Sequence, residues 1–196
     1  MFDTISKHIL DICCNSERAG ASVITIRIKY EEPLLEITIS DNGCGISADA
    51  EPLDPFYTTK YSGKTGLGLP LMKESAESTG GSLEIYGVGT GGTMIKAVYN
   101  TLSLNCMPLG EIKEDTAAMA LFRNRADIVF EFCRGDTVFG FDTRKFYAAD
   151  SISRWKKIRD CFDRHENMLE IVSCGEVFFR SREEKYENRR IERYQR

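Results

Sequence analysis

The stretch SGKTGLGLPLMKESAESTGG, Ser62–Gly81, contains two overlapping glycine patterns that predict different folds. Gly63-Lys64-Thr65 matches the last three positions of a P-loop, GxxxxGKT. A P-loop also needs a glycine five positions earlier and a buried strand just before it. That position is Thr58, and the residues before it, PLDPFY, do not have the pattern of a buried strand. The pattern argues against a P-loop, although Lys64 could still contact a phosphate.

The second pattern, Gly66-Leu67-Gly68-Leu69, lies at the start of a helix that we predict over Leu67–Ser78. A helix N-terminus has free N–H groups and a partial positive charge, which suits a phosphate chain. Glycine lets an anion approach the backbone without a Cβ in the way. Glycines at a helix start are also common as packing or turn residues, so this motif alone decides nothing.

A helix predicted over Phe2–Ala19 places His8, Asp11 and Asn15 on one stripe. The Asn15 amide could supply an oxygen to Mg²⁺, which binds oxygen ligands and keeps waters and substrate phosphates in its shell. A solvent-facing polar stripe is the alternative interpretation.

Asp41 ends the second strand of a hairpin that we predict from Ser22–Lys29 and Leu34–Ser40. It begins the glycine-rich turn DNGCG. A buried carboxylate there would accept a hydrogen bond from the exocyclic amine of adenine and would disfavour the carbonyl of guanine. An Asx turn, for which Asp-Asn-Gly is well suited, is the alternative.

Two further strands are predicted over Ser82–Tyr86 and Thr93–Tyr99, joined by GVGTGG. The order helix, strand pair, loop, helix, strand pair predicts an α+β fold. It is a two-layer sandwich whose mixed, mostly antiparallel sheet carries its helices on one face.

The second half of the chain has its own element pattern, and we expect a small α/β extension of unknown role. It contains predicted helices over 111–122 and 150–162, a hairpin over 126–133 and 137–142, and strand character over 169–179. We therefore divide the chain into residues 1–103, residues 104–182 and a charged tail, 183–196.

Composition excludes several classes of protein. The formal net charge of −4 argues against binding nucleic acid or an anionic membrane through bulk charge. No apolar run is long enough to predict a membrane span, and the N-terminus lacks a signal-peptide pattern. The seven cysteines are scattered without a CxxC pair, which predicts reduced thiols in the cytoplasm.

These motifs together resemble the GHKL (Bergerat-fold) ATPase superfamily, which includes histidine kinases, anti-sigma-factor kinases, type II topoisomerases and mismatch-repair MutL. The resemblance covers about the first half of the chain. DICCNSERAGAS resembles the N-box, DNGCGI the first glycine box, DPFYTTK the F-box and GKTGLGL the second glycine box. GTGGTMIKAV resembles the last box.

The resemblance implies a role for each matching residue. Asn15 would bind Mg²⁺, Asp41 would recognise adenine, and Asp11 would occupy the position of a general base. ATPases and serine-type kinases of the superfamily carry Glu there, one methylene longer than Asp, whereas ordinary histidine kinases usually carry Asn. The implied ATP-binding residues are Asn15, Arg18, Asp41, Gly43, Gly45, Ile46, Phe56, Thr59, Lys60, Gly66, Leu67, Gly68 and Thr93.

Within the superfamily, Arg18 and the compact segment TTKYSGKTGLGLPLMK resemble histidine-kinase-like proteins. No phosphoacceptor helix pair precedes the N-box, so we expect a stand-alone form. The resemblance implies Mg²⁺-dependent ATP binding, with ATP hydrolysis or phosphotransfer in bacterial signalling. The alternatives are a catalytically silent ATP-sensing module and an interaction protein with relic motifs. Besides ATP we expect a protein partner; a homodimer is left open.

Overall fold

A computed structural model describes residues 3–46, 53, 68–87, 91–119, 126–146 and 150–169 of the chain. The first helix, α1, spans Ile5–Arg18 and is followed by strands β1, Val23–Glu31, and β2, Leu34–Asp41. Helix α2, Gly68–Ser78, precedes strands β3, Ser82–Tyr86, and β4, Thr93–Asn100. These bounds lie within a few residues of the predicted ones.

The second half contains helix α3, Ile112–Met119, and strands β5, Asp127–Arg134, and β6, Thr137–Asp142. A 3₁₀ turn at Thr143–Phe146, helix α4, Ser151–Asp163, and the short helix α5, Glu166–Leu169, follow. Asp150 is the N-cap of α4, and its side chain accepts a hydrogen bond from the Ser153 amide at 2.7 Å. The predicted strand over 169–179 is wrong at its first residue, which is helical; residues 170–179 lie outside the described part of the chain.

All the described strands join one sheet in the order β3-β4-β2-β1-β5-β6. Every neighbouring pair is antiparallel except β1 and β5, which run parallel. The α+β fold class is therefore confirmed, and the arrangement is that of the Bergerat ATPase fold.

The core lies on one face of this sheet. Alternate residues of the central strands are buried, for example Ile24, Ile26 and Ile28 of β1, which pair with inward-facing residues of β2 and β5. The helices cover this face. The opposite face carries ion pairs, such as Arg27 Nε to Glu131 Oε1 at 2.7 Å.

The residues after Asn100 extend the sheet of the first half, which the sequence pattern did not predict. Strand β5 pairs with β1 from Val23↔Asp127 to Tyr30↔Arg134. The start of α1 is also tied to the second half, because the Ile5 amide donates to the Pro108 carbonyl at 3.0 Å. The division of the chain near residue 103 stays a prediction.

Among the described residues, no helix combines the length and the apolar character that crossing a bilayer requires.

Candidate functional site

Asp41 lies at the end of β2, on the face of the sheet that the helices cover. Its neighbours across the sheet are Ile24 of β1 and Thr93 of β4. It shares this face because it continues the alternation of the buried residues Ile37 and Ile39. Asp41 is itself only partly buried, so a carboxylate is presented where the apolar face of the sheet ends.

Each oxygen of the Asp41 carboxylate has one protein donor. The Ser16 hydroxyl of α1 donates to Oδ2 at 2.6 Å. The Gly43 amide donates to Oδ1 at 2.9 Å, which is the predicted Asx turn. An Asx turn at DNGCG therefore does not exclude adenine recognition by Asp41, because the turn uses only Oδ1 of the carboxylate. The other oxygen, Oδ2, faces α1.

The turn after Asp41 is fastened on two sides. The Asn42 side-chain Oδ1 accepts from the amides of Ser22 and Val23, both at 2.9 Å, at the start of β1. The Cys44 amide donates to the Ala19 carbonyl at 2.9 Å, beyond the end of α1. These contacts hold the turn against both the sheet and the helix.

Glycine is required at two positions beside Asp41. A Cβ on Gly43 would lie 2.9 Å from the Ala19 carbonyl oxygen and 3.1 Å from Asp41 Oδ1. Gly92 has a φ of +88°, and a Cβ there would lie 2.1 Å from the Asp41 carbonyl oxygen. The backbone around the carboxylate is therefore too close for any other residue.

Two residues of the predicted polar stripe of α1, Asp11 and Asn15, form a connected row, whereas the third, His8, is buried. The Asn15 Nδ2 donates to Asp11 Oδ2 at 3.3 Å, and the Arg18 Nη1 donates to Asn15 Oδ1 at 2.9 Å. The sequence prediction that Asp11 and Asn15 share a face is confirmed. The same row includes Arg18, so a carboxylate, an amide and a guanidinium are linked along about two turns of helix.

The start of α2 lies against this row. A Cβ built on Gly68 would be 1.9 Å from Asp11 Oδ2 and 3.0 Å from its Cγ. No side chain larger than hydrogen fits at Gly68 unless the carboxylate moves. The N-terminus of α2 and the Asp11 carboxylate are thus in direct contact, although 57 positions separate them in the chain.

Two buried groups on the same helix have shifted proton affinities. Burial lowers the pKa of His8 below its usual 6.5, and the nearby Asp11 carboxylate opposes that shift. Burial raises the pKa of the Cys13 thiol, with smaller contributions from neighbouring ionisable groups. Both residues are therefore held in their neutral forms near neutral pH.

The donor set on α1 is compatible with Mg²⁺. Asn15 Oδ1 and the Asp11 carboxylate offer oxygen atoms, the kind of ligand that Mg²⁺ prefers. Nowhere in the described ranges do three or more acidic, histidine or cysteine side chains cluster as a metal cage would need. These residues therefore fit a magnesium ion held through one or two side chains and the ligand's own phosphates.

The predicted site residues fall into two groups. The first group lies in the described part of the chain and consists of Asp11, Asn15, Arg18, Asp41, Gly43, Gly45, Ile46, Gly68 and Thr93. Outside the described residues are Phe56, Thr59, Lys60, Gly66 and Leu67. The sequence reasoning missed Ser16, Asn42 and Gly92. Only Gly92 had a signal in the sequence, as the third glycine of GTGG.

Residues 3–102 match the family described as "Histidine kinase-, DNA gyrase B-, and HSP90-like ATPase". This match covers more than half of the chain, so the chain belongs to that family. Its first half is a histidine-kinase-like ATPase domain, the class that we inferred from the glycine boxes.

Similar curated proteins are bacterial sensor kinases. A sensor-like histidine kinase of Rhizobium meliloti is 39% identical over 88 residues, which are 41% of this chain and 16% of the relative. The signal transduction histidine-protein kinase AtoS of Escherichia coli is 36% identical over 42% of this chain and 14% of the relative. The sensor histidine kinase WalK of Bacillus subtilis is 36% identical over 45% and 17%. The matched segment thus spans about a sixth of these relatives.

Among solved structures, the N-terminal domain of a DNA repair protein is similar in fold. The TM-score is 0.52 at 14% sequence identity, over 78% of this chain and 56% of that one. At this identity the likeness shows the fold alone.

Proposed function

We propose that this chain binds ATP together with Mg²⁺ and hydrolyses it, or transfers its terminal phosphoryl group to a protein, in bacterial signalling. The observation that carries the proposal is the Asp41 carboxylate. It is partly buried where the apolar face of the sheet ends, and both of its oxygens are already oriented by protein donors at 2.6 and 2.9 Å.

Base selection follows from the chemistry of that carboxylate. An ionised carboxylate only accepts hydrogen bonds. The exocyclic amine of adenine donates, whereas the corresponding carbonyl of guanine would place its lone pairs against the carboxylate oxygen. The site therefore favours adenine and leaves guanine with an unsatisfied polar group.

In this proposal the phosphates of ATP lie where α2 begins, beside the row of Asp11, Asn15 and Arg18 on α1. Gly68 has no Cβ that would keep a phosphate from the backbone, and the N–H groups at the start of a helix favour negative charge. We further propose that the phosphates are contacted by the backbone N–H groups of Gly66 and Leu67 and by the side chain of Lys60. Arg18 is close enough to Asn15 to contribute a positive charge at the same place.

Asn15 would hold Mg²⁺ through its side-chain oxygen, and the ion would neutralise part of the phosphate charge. Arg18 now donates to that same oxygen, so the guanidinium must turn to another acceptor when Asn15 binds the ion. A phosphate oxygen is the natural alternative partner for Arg18.

Asp11 is the proposed general base, since its carboxylate lies against Gly68 at the start of α2. It would accept the proton of an attacking water or hydroxyl, for which a heavy-atom distance of roughly 2.6–3.2 Å is needed. The proposal places the chain in the cytoplasm and gives it a protein partner that it phosphorylates or regulates.

One observation favours a second candidate, a catalytically silent module that binds ATP and changes its affinity for a partner. Oδ2 of the Asp11 carboxylate already accepts from Asn15 and lies against Gly68, so this oxygen is engaged within the protein. In this candidate, the nucleotide would shift a conformational population without turnover.

Calorimetric titration of the full chain with ATP, ADP and GTP, each with and without Mg²⁺, tests the shared part of both candidates. We expect ATP to bind with Mg²⁺ and GTP to bind far more weakly. No binding of Mg²⁺-ATP would refute both.

Turnover then separates the two candidates. Release of phosphate, or its transfer to proteins of a bacterial extract, should be lost in Asp11→Asn and kept in Asp3→Asn. Asp3 is a matched control because it is an exposed carboxylate just before α1, paired with Lys7 at 2.8 Å. Equal turnover in wild type and Asp11→Asn would remove Asp11 from the mechanism. A wild type that binds ATP but never turns it over would favour the silent module.

A further inference from the structure

Ser16 is a buried polar residue to which the sequence pattern gives no role. It follows Asn15 on α1, and only 5% of it is exposed. Its hydroxyl donates to Asp41 Oδ2 at 2.6 Å, across 25 positions of sequence. A short hydrogen bond from a buried hydroxyl to a carboxylate is among the stronger ones that a protein makes.

The two donors hold the Asp41 carboxylate relative to different parts of the protein. The Gly43 amide belongs to the same turn as Asp41, so it holds the carboxylate relative to its own backbone. The Ser16 hydroxyl comes from α1, the helix that also carries Asp11 and Asn15. Ser16 therefore sets the orientation of the carboxylate relative to the helix that bears the rest of the site.

We propose that Ser16 is a positioning residue for base selection, which holds Asp41 Oδ2 in one orientation and so sets the preference for adenine over guanine nucleotides. The inference rests on the proposed role of Asp41 in ATP binding. A fixed carboxylate is already aligned for the adenine amine and cannot turn away from the guanine carbonyl. A carboxylate held by Gly43 alone can rotate. Rotation weakens its hydrogen bond with the adenine amine and reduces its repulsion of the guanine carbonyl.

A merely structural Ser16 would behave differently. If the hydroxyl only fastened α1 to the sheet, its removal would loosen the whole site and weaken ATP and GTP binding together. Selectivity, the ratio of the two dissociation constants, is therefore the decisive quantity.

The test compares the dissociation constants of Mg²⁺-ATP and Mg²⁺-GTP for the full chain and three variants, at one pH and one salt concentration. In Ser16→Ala we expect ATP to bind about 10-fold more weakly and GTP no more weakly, so that the ratio narrows by about 10-fold. Ser16→Thr keeps the hydroxyl and should keep the wild-type ratio. Ser16→Cys keeps the size with a weaker donor and should fall in between.

Ser6→Ala is the matched control. Ser6 is equally buried on the same helix, and its hydroxyl lies 3.2 Å from that of Thr4, far along the helix from Asp41. This variant should keep the wild-type ratio. Thermal unfolding checks that each variant folds, and should Ser16→Ala fail to fold, Ser16→Cys carries the comparison.

The possible results are distinct. A wild-type chain that prefers ATP, with the same preference in Ser16→Ala, would overturn the role of Ser16 and leave the proposed function standing. Equal weakening of both nucleotides would do the same. A wild-type chain that binds neither nucleotide would overturn both proposals.

Discussion

Replacing Asp41 by Asn changes the chemistry of the base-recognising group with almost no change of shape. The Gly43 amide is a fixed donor 2.9 Å from Oδ1, so the amide oxygen of Asn must take that position. The amide nitrogen then takes the position of Oδ2, 2.6 Å from the Ser16 hydroxyl. Because a hydroxyl can accept as well as donate, both hydrogen bonds survive, and the free energy of unfolding should change by no more than about 1 kcal/mol.

The effect on nucleotide binding should be much larger. An acceptor becomes a donor opposite the adenine amine, which is itself a donor. Loss of a hydrogen bond to a charged group costs about 1.5–3 kcal/mol, which corresponds to a roughly 10- to 150-fold weaker ATP affinity. Guanine presents a carbonyl that can accept from the new amide, so GTP should gain relative to ATP.

The assay is calorimetric titration of wild type and Asp41→Asn with Mg²⁺-ATP and Mg²⁺-GTP, together with chemical denaturation of both proteins. Asp136→Asn, in the exposed turn between β5 and β6, makes the same chemical change away from the site. A folded Asp41→Asn variant that binds ATP as tightly as wild type would show that Asp41 does not face the base.

Three further predictions use other contacts. In Gly68→Ala, the Asp11 carboxylate must retreat from 1.9 Å to at least 3.0 Å from the new methyl group. A displacement of this size should lower ATP turnover about 100-fold, while Gly91→Ala, with nothing within 4 Å, leaves it unchanged; equal rates would contradict the placement. In Gly81→Ala, the methyl would lie 1.8 Å from a backbone carbonyl oxygen of β4, which cannot move as a side chain can. Denaturant unfolding should show a loss of about 3 kcal/mol, and a loss below that of Gly91→Ala would refute the close approach. Because burial lowers the pKa of His8, the unfolded chain takes up a proton below pH 6.5 that the folded chain resists. The free energy of unfolding should therefore fall as the pH drops through 6.5 in wild type and should fall less in His8→Asn. Parallel pH profiles of the two proteins would show that His8 is not the cause.

Much of the first half could be read from local patterns. Alternation in VITIRI and LLEITIS predicted two strands, and the i, i+4 spacing of Asp11 and Asn15 predicted one helical face. These patterns are local because the strand period of two and the helical period of 3.6 fix where neighbouring side chains point. The glycine boxes added the family because several of them occur in one order.

Contacts between distant parts of the chain could not be read in the same way. Nothing in the alternation of β5 specifies that it pairs with β1, parallel and about a hundred residues away. A buried apolar strand can pair with any strand that has a matching buried face, and the packing of α3 and α4 over the same face decides between them.

By itself, the sequence determined the element types, the family and the polar residues available for a site. Only the tertiary structure decided that Ser16 meets Asp41 and that Asp11 meets Gly68. The physical reason is that side-chain direction within one element follows from the backbone period, whereas contact between elements depends on how the helices pack on the sheet. A serine in a helix therefore looks like any other polar residue until the fold brings a carboxylate to its hydroxyl.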